Sequence, residues 1–252
     1  MISKSQIKYV RQLEQKKFRR LEGLFVAEGT KVVGDLMKRY EPRMLFATPE
    51  WATVNCQQPT VNSQLTIVTS DELRRLSFQQ HPQQVLALFS LPEESACSPL
   101  FTSTLSLALD GIQDPGNLGT IIRIADWFGI KHIICSTDTA DAWNPKVVQA
   151  TMGSIARVNI IYTDLPALLD KLPADYPVYG TLLDGENIYT QQLSSNGLII
   201  MGNEGNGITE AVRQRVNRRL LIPDFHQGDT ADSLNVAIAT AITCSEFRRR
   251  HG

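Results

Sequence analysis

A loop at residues 110–119 combines glycine, proline and aspartate at the end of an apolar run, a composition typical of a tight turn whose backbone can approach a ligand. Asn117 stands where the following helix needs an N-cap, so capping and ligand contact are both open roles for its amide. Arg123 lies about two turns further, between Ile122 and Ile124. Each helical residue turns the chain by about 100 degrees, which takes Arg123 off the apolar stripe. A surface charge and a functional cation are its two interpretations.

A second loop, residues 202–207, places three glycines in the pattern G-x-x-G-x-G after an apolar run. This pattern differs from the dinucleotide-binding fingerprint and lacks the Gly-Lys-Ser/Thr ending of a phosphate-binding P-loop. Glycines permit either close backbone approach or left-handed turns. Glu204 lies among them, and its carboxylate can accept hydrogen bonds from a polar ligand. By itself, this loop is only a weak indication of a ligand-binding site.

The third loop runs from Ile222 to Asn235. Ser233 is the predicted N-cap of the last helix, which places Asn235 in the first turn, where Asn needs a partner for its amide. His226 is the only histidine nearby and no G-x-S-x-G elbow is present, so the pattern argues against a Ser-His-Asp triad. No ligand spacing supports a metal site.

Short apolar strands alternate with helices in this part of the chain, a rhythm that predicts an α/β fold with a parallel sheet covered on both faces. The predicted strands are 105–109, 130–135, 158–161, 178–183, 198–201 and 219–222, and the predicted helices are 118–128, 146–153 and 234–250. Ligands bind beyond the carboxyl ends of such strands, so we expect the site in the loops after Leu109, Leu183, Met201 and Ile222.

The first ninety residues have a different rhythm. Apolar residues at positions 7, 10, 13, 18 and 21 predict one amphipathic helix with basic residues off its apolar side. Strands at 24–29, 44–47 and 85–89 and helices at 31–39 and 71–76, the latter capped by Ser70, follow. Residues 91–99, rich in Pro and Ser, indicate a linker. We therefore predict two domains, residues 1–97 and 98–252.

Charge is distributed unevenly along the 252 residues. The formal net charge of −1 argues against a nucleic-acid-binding protein, yet residues 1–20 contain seven basic residues against Glu14 alone. A local basic patch attracts phosphate whatever the total charge is. The predicted RNA-binding residues lie in this segment: Lys16, Lys17, Arg19 and Arg20. Arginine clusters at 213–219 and 248–250 weakly support binding of an anionic polymer, since each cluster also fits a solvated helix face.

Cysteine usage indicates the compartment. Cys56, Cys97, Cys135 and Cys244 are far apart and form no C-x-x-C pair, which argues against both a zinc site and a disulfide framework. Buried, reduced thiols in a cytoplasmic protein are the prediction. No apolar run reaches the roughly 18 residues of a membrane span, and the first residues lack the apolar segment of a signal peptide.

Taken together, three stretches resemble in order the three motifs of the SpoU/TrmH family, RNA ribose 2′-O-methyltransferases of the SPOUT superfamily. They are Asn117–Arg123, Gly202–Gly207, and Ile222-Pro223 followed by Ser233–Val236. The basic N-terminal helix and Leu24–Gly29 resemble that family's small substrate-binding domain. The resemblance covers almost the whole chain.

This resemblance implies a small N-terminal α/β substrate-binding domain followed by a C-terminal SPOUT domain, whose parallel sheet carries a deep trefoil knot. It also implies a homodimer that completes each active site, and S-adenosylmethionine as cofactor without a metal. The residues that it assigns to the cofactor are Thr181, Leu182, Gly202, Ile222 and Leu234.

The resemblance further implies methyl transfer to a ribose 2′-OH of structured RNA, rRNA rather than tRNA because of the N-terminal domain. Arg123 matches the proposed proton acceptor, and Asn117, Glu204, Ser233 and Asn235 match the remaining polar positions. A guanidinium has no acceptor lone pair and a pKa above about 12, so base and phosphate clamp both stay open for Arg123.

Two features depart from the family pattern. The loop 224–232 is longer and more acidic than usual, and Ala237 stands where a second Ser is common. We expect activity to survive, because the Ser-Leu-Asn core is intact. Two alternatives remain: a catalytically idle RNA-binding or ribosome-assembly protein with the same fold, and a nucleotide-binding α/β enzyme.

Overall fold

A computed structural model of the chain describes residues 2–55, 64–92, 103–226 and 233–251. The chain divides into two compact units. The N-terminal unit comprises Met1–Glu93 together with Asp141–Ala156, and the C-terminal unit comprises Glu94–Ala140 together with Arg157–Gly252. The boundary that we predict between residues 97 and 98 lies outside the described residues, as does most of the predicted linker.

The N-terminal unit is built on a four-stranded sheet of order β1-β4-β2-β3. Its strands are β1 (Leu24–Glu28), β2 (Pro42–Ala47), β3 (Leu65–Ile67) and β4 (Val85–Ser90). Its first helices are α1 (Lys4–Gln12), α2 (Lys16–Glu22), α3 (Thr30–Met37), α4 (Pro49–Asn55) and α5 (Ser70–Leu76). β4 is antiparallel to β1 and β2, while β2 and β3 are parallel. Both β1 and β4 are buried, which explains their continuous apolar runs.

The single amphipathic helix that we predicted at the N-terminus is wrong, because the structure has two helices there. α1 ends at Gln12, and Leu21 in α2 is 76% exposed rather than packed. Arg19 gives the physical reason: its guanidinium donates to the carbonyl oxygens of Leu13 and Glu14, at 2.7 and 2.6 Å. These carbonyls lie between the two helices, so the hydrogen bonds stabilise the break.

A segment distant in sequence completes the N-terminal unit. It contains a helix at Pro145–Ala150 and a 3₁₀ turn at Ser154–Ala156. Asp141 forms an ion pair with Arg19 at 2.5 Å, and the Trp143 ring lies 4.7 Å from that of Phe25. Arg39 also donates to the Ala156 carbonyl at 2.7 Å. No local pattern in the sequence indicated this association.

The C-terminal unit is an all-parallel six-stranded sheet of order β10-β8-β9-β5-β6-β7. Its strands are β5 (Leu105–Asp110), β6 (His132–Cys135), β7 (Asn159–Tyr162), β8 (Val178–Asn187), β9 (Gly197–Gly202) and β10 (Arg218–Leu221). In chain order α6 is Pro115–Trp127, α7 is the helix Pro145–Ala150 of the other unit, α8 is Leu165–Leu169, α9 is Glu210–Arg213 and α10 is Val236–His251. The predicted α/β class with a parallel sheet is confirmed.

The core of this unit lies along the central strands. β5 is buried throughout and β9 nearly so, as expected for strands covered on both faces. Cys135 and Cys244 are free and buried, and burial raises the pKa of the Cys244 thiol to about 12. Cys56 and Cys97 lie outside the described residues.

Three predicted helix caps are wrong. Thr69, not Ser70, caps α5 and forms a capping box with Glu72. Asp114, not Asn117, caps α6, and Pro115 occupies its first turn, where a missing N–H costs no hydrogen bond. In both helices the observed cap lies one to three residues before the predicted one, so the predicted residue lies inside the helix.

The third wrong cap is at the last helix. Asn235 accepts hydrogen bonds at Oδ1 from the backbone N–H groups of Ala237 and Ile238, at 3.0 and 3.3 Å. It therefore caps α10, the role that we predicted for Ser233. This placement frees Asn235 from the first turn and directs its amide nitrogen elsewhere.

Candidate active site

A cavity of about 1050 Å³ opens at the carboxyl ends of β8, β9 and β10. Its walls come from residues 181–184 within β8, from the loops that follow β9 and β10, and from the start of α10. The five residues predicted to hold a cofactor all line it: Thr181, Leu182, Gly202, Ile222 and Leu234. This cavity lies where we predicted a ligand site, beside the loops after β9 and β10.

The glycine loop after β9 forms one wall through backbone alone. Asn203 and Gly207 exchange backbone hydrogen bonds, both at 2.9 Å, which closes the loop tightly. A Cβ on Gly202 would lie 2.3 Å from the Gly207 carbonyl carbon and the Ile208 nitrogen. Gly207 has φ +68°, a left-handed conformation that favours glycine. The glycines therefore serve close approach at position 202 and a turn at 207.

Buried and half-buried polar groups anchor this loop, and sequence reasoning missed them. Asp110, 3% exposed at the end of β5, accepts at Oδ2 from the backbone N–H and hydroxyl of Thr209, at 2.7 and 2.8 Å. Asn203 donates to the Gly111 carbonyl at 2.7 Å. A charged residue ending an otherwise apolar strand is the signal that could have identified Asp110.

Three of the predicted catalytic residues form a chain of hydrogen bonds. Asn235 Nδ2 donates to Asn117 Oδ1 at 3.0 Å, and Asn117 Nδ2 donates to Glu204 Oε1 at 2.9 Å. Because Asn235 Oδ1 is occupied by backbone donors, the orientation of each amide follows from the one before it. We call Asn235, Asn117 and Glu204 the polar chain. It joins residues from all three motifs at the edge of the cavity, which Glu204 also lines.

The two other predicted catalytic residues are placed differently. Ser233 lies on the cavity wall. Arg123 is exposed on α6, and among the described residues of one chain it is not part of that wall. Trp127, four residues further on the same helix, is 85% exposed. Residues four apart share a helix face, so Arg123 borders an exposed aromatic surface.

The predicted RNA-binding residues do not behave alike. Lys16, Lys17 and Arg20 are exposed, whereas Arg19 is 2% exposed and holds Asp141. Its burial removes Arg19 from the predicted RNA-binding set, because a guanidinium enclosed by protein acceptors is not available to phosphate.

The two smaller basic clusters are largely neutralised. Arg213 and Arg219 both pair with Asp184, and Arg215 pairs with Asp170, which lowers the pKa of that carboxyl. Arg249 and Arg250 pair with Glu246. Their weight as evidence for an anionic polymer is correspondingly small.

Two kinds of feature are absent from the described ranges. No group of three or more His, Cys, Asp or Glu side chains there could hold a metal ion. Within the same ranges, no helix has both the length and the apolarity needed to cross a membrane.

Comparison with known proteins agrees with this geometry. Residues 104–245 match the model of the SpoU rRNA methylase family. The chain belongs to that family. Residues 4–87 match the MRM3-like substrate binding domain, so the SpoU domain here follows a substrate-binding domain. The resemblance drawn from the three motifs is thereby confirmed.

Relatives align over nearly the whole length of this SpoU-family chain. The 23S rRNA (guanosine(2553)-2′-O)-methyltransferase RlmP of Bacillus subtilis is 32% identical, with 96% of this chain and 95% of the relative covered. A solved structure assigned to the TrmH family of RNA methyltransferases, from Porphyromonas gingivalis, is 41% identical with a TM-score of 0.89, covering 99% of each chain.

A second solved structure bears on the cavity. The rRNA methyltransferase of Sinorhizobium meliloti, determined with S-adenosylmethionine bound, is 30% identical with a TM-score of 0.85. It covers 99% of this chain and 96% of its own. The SpoU-family fold described above therefore occurs in a protein that binds this cofactor.

Proposed function

We propose that this protein transfers a methyl group from S-adenosylmethionine to a ribose 2′-OH of rRNA in the cytoplasm. The observation that carries the proposal is the polar chain, which unites one residue from each family motif beside a cavity lined by all five expected cofactor residues. RlmP and the Sinorhizobium meliloti protein, both named as rRNA methyltransferases, support rRNA over tRNA.

The cavity residues fit S-adenosylmethionine by their chemistry. Backbone at Gly202 and Ile222 offers amide and carbonyl groups, and Leu182, Leu183 and Phe225 offer apolar surface for an adenine. Leu183 is 78% and Phe225 is 81% exposed, which is unfavourable for such side chains in the absence of an apolar partner. When bound, the cofactor supplies a methyl group on a sulfonium, an electrophile that requires no metal.

The chain's own residues then align the ribose and neutralise charge. The polar chain fixes the Glu204 carboxylate at the cavity edge, where it can accept a hydrogen bond from a ribose hydroxyl. Arg123 acts as the clamp on the neighbouring phosphate, since a guanidinium offers five donors and no acceptor. Positioning of this kind is the main contribution that a methyl transfer asks of a protein.

A homodimer supplies Arg123 to the site of the other copy, and a trefoil knot holds the cofactor loops together. Two observations support the dimer: Arg123 lies outside the cavity of its own chain, and it neighbours Trp127, 85% exposed. Large exposed aromatics are typical of interfaces. Light scattering would measure the mass, and Trp127→Ser is expected to dissociate the dimer and abolish methyl transfer together.

Methyl transfer can be tested directly. The full chain is incubated with tritiated S-adenosylmethionine and either rRNA or tRNA from cells that lack the gene, and the RNA is hydrolysed with alkali. We expect label in alkali-resistant dinucleotides from rRNA, because a 2′-O-methyl group blocks cleavage. S-adenosylhomocysteine binding without any incorporation would instead support the idle RNA-binding protein.

A further inference from the structure

A second cavity, of about 290 Å³, lies within the N-terminal unit, where nothing above assigns a site. β1 and the turn after α5 form one side, with Glu28, Phe78 and Gln79, and α7 forms the other, with Lys146 and Gln149. We call it the Glu28 cavity. Its wall combines one carboxylate, one aromatic ring, two amides and one ammonium group with the apolar side chains of Val26, Pro145 and Ala150.

Glu28 is the unusual member of this wall. Its side chain is buried, with 6% of the residue exposed, yet the structure pairs it with neutral donors. Ser77 donates its hydroxyl to Oε2, and the Phe78 backbone N–H donates to Oε1 at 2.8 Å. Burial raises the pKa of Glu28, against the opposing effects of these two hydrogen bonds and of Arg11. A carboxylate offers about four acceptor positions, so two donors leave about two for a ligand.

The neighbours of Glu28 offer an aromatic ring, two side-chain amides and nearby positive charge, the groups that bind a nucleotide. Phe78 lies beneath the Arg11 guanidinium, 4.7 Å from Cζ to the ring centroid, so a cation and an aromatic ring are stacked at the cavity. Gln79 Nε2 donates to Gln149 Oε1 at 2.9 Å, which leaves the Gln149 amide nitrogen and the Gln79 amide oxygen for other partners. Lys146 is exposed at the rim, and Arg11 is exposed nearby.

We propose that the Glu28 cavity binds one unpaired guanine base of the RNA substrate, at a nucleotide separate from the one that is methylated. Single-stranded bases are recognised by stacking on aromatic rings and by hydrogen bonds to their edges. An acceptor-only carboxylate matches the guanine N1–H and N2–H donors, which lie side by side, and the exposed Lys146 at the rim offers a positive charge for a flanking phosphate. This inference rests on the proposed function for its substrate, RNA.

Guanosine 5′-monophosphate is the probe, titrated into the full chain with excess S-adenosylhomocysteine to fill the other cavity. Ligand-observed NMR gives the dissociation constant, and the inosine, adenosine, cytidine and uridine monophosphates are compared. We expect about tenfold weaker binding of inosine monophosphate, because it lacks the 2-amino group and therefore makes one hydrogen bond fewer to the Glu28 carboxylate. Equal binding of all five nucleotides would overturn the inference without any variant.

Two variants locate the binding. Glu28→Gln replaces one acceptor oxygen by a donor, and Ala150→Leu fills the cavity from α7. Each substitution is expected to raise the dissociation constant of guanosine monophosphate at least tenfold. The matched controls are Glu41→Gln on the surface and Ala52→Leu on α4. They should change the dissociation constant less than twofold. Thermal unfolding checks that each variant is folded, and unchanged binding in a folded Glu28→Gln or Ala150→Leu variant contradicts the assignment.

The two proposals fail in different ways. If the enzymatic function is wrong, methyl transfer is absent while the guanine preference and its loss in Glu28→Gln persist. If the Glu28 cavity is not a base site, methyl transfer to rRNA continues in the wild type, and no nucleotide preference is found.

Discussion

The two units differ in where they place their polar and charged side chains. The C-terminal unit forms its cavity from loop backbone and from exposed or half-buried polar side chains, with Gly202 and the polar chain as its defining parts. The N-terminal unit instead buries two charged side chains: Arg19 is held by Asp141 and two carbonyl oxygens, whereas Glu28 accepts from two neutral donors and keeps acceptor positions for a ligand. Exposed polar groups contribute little to stability and are available for ligands, whereas buried charges are costly to leave unpaired. Substitutions should therefore separate activity from stability by unit.

The largest effect is expected at Arg123 in the C-terminal unit. Arg123→Ala should reduce methyl transfer by about 10²–10⁴-fold, because it removes the cation beside the reacting ribose. Affinity for S-adenosylhomocysteine, measured by calorimetry, should stay within a few-fold, since Arg123 does not line the cavity of its chain. Arg74→Ala, at an exposed arginine in α5, is the control. Full loss of cofactor binding would refute the assignment.

Arg19 tests whether buried charge stabilises the N-terminal unit. Arg19→Ala leaves Asp141 and two carbonyl oxygens without their donor, and breaking a buried pair costs about 3–5 kcal/mol of unfolding free energy. Arg20→Ala, one residue away and exposed, should change stability by less than about 0.5 kcal/mol. It should instead weaken RNA binding and flatten its salt dependence. Urea unfolding and filter binding measure the two effects, and identical behaviour of both variants would contradict the contrast.

Gly202 tests whether backbone forms the cofactor site. Gly202→Ala places a methyl group 2.3 Å from backbone atoms, so the loop must shift. Overpacking of this kind costs about 1–3 kcal/mol, and we expect S-adenosylhomocysteine affinity to fall about tenfold or more. Gly205→Ala is matched, because its Cβ would meet only Asn203 Oδ1, at 3.6 Å. Equal affinities for the two variants would show that close approach at position 202 is irrelevant.

Asn235 allows capping and catalysis to be separated within one side chain. Asn235→Asp keeps an oxygen that accepts from the Ala237 and Ile238 N–H groups, so we expect the melting temperature to stay unchanged. It loses the donor to Asn117, and we expect kcat to fall about tenfold, the equivalent of one hydrogen bond of about 1.4 kcal/mol. Asn159→Asp, at an exposed residue of β7 away from the cavity, serves as the control. An unchanged kcat would remove the polar chain from the mechanism.

The smallest effect concerns pH and the N-terminal unit. Because the folded protein holds the Glu28 pKa above its ordinary value of 4.5, the folded state binds more protons than the unfolded state just above that pH. The contribution of Glu28 to stability is thus present below pH 4.5 and is lost as pH rises through the raised value. Unfolding free energies of wild type and Glu28→Gln, measured from pH 4 to 7, should diverge in favour of Glu28→Gln as pH rises. Parallel curves would contradict this.

The sequence was most informative where function depends on local pattern. The apolar runs of β5 and β9 predicted central parallel strands, and the motifs around Asn117, Glu204 and Asn235 predicted residues that the fold then brought together. Helix caps were predicted less well. Asp114 and Asn235 compete for capping with Asn117 and Ser233 only a few residues away, and backbone geometry decides between them.

The amino-acid sequence by itself determined the α/β class, the motif residues and the loops that line the cavity, because strand burial and motif spacing depend on residues close together in the chain. Only the tertiary structure decided that Arg19 is an internal anchor, that Arg123 lies outside its own chain's cavity, and that Asp141–Ala156 joins the N-terminal unit. The first and the third of these outcomes depend on contacts between residues more than 100 positions apart, such as Arg19 with Asp141 and Phe25 with Trp143. Such contacts form only when the gain from burial and pairing exceeds the entropy lost on closing the chain between them, and periodicity carries no information about that balance.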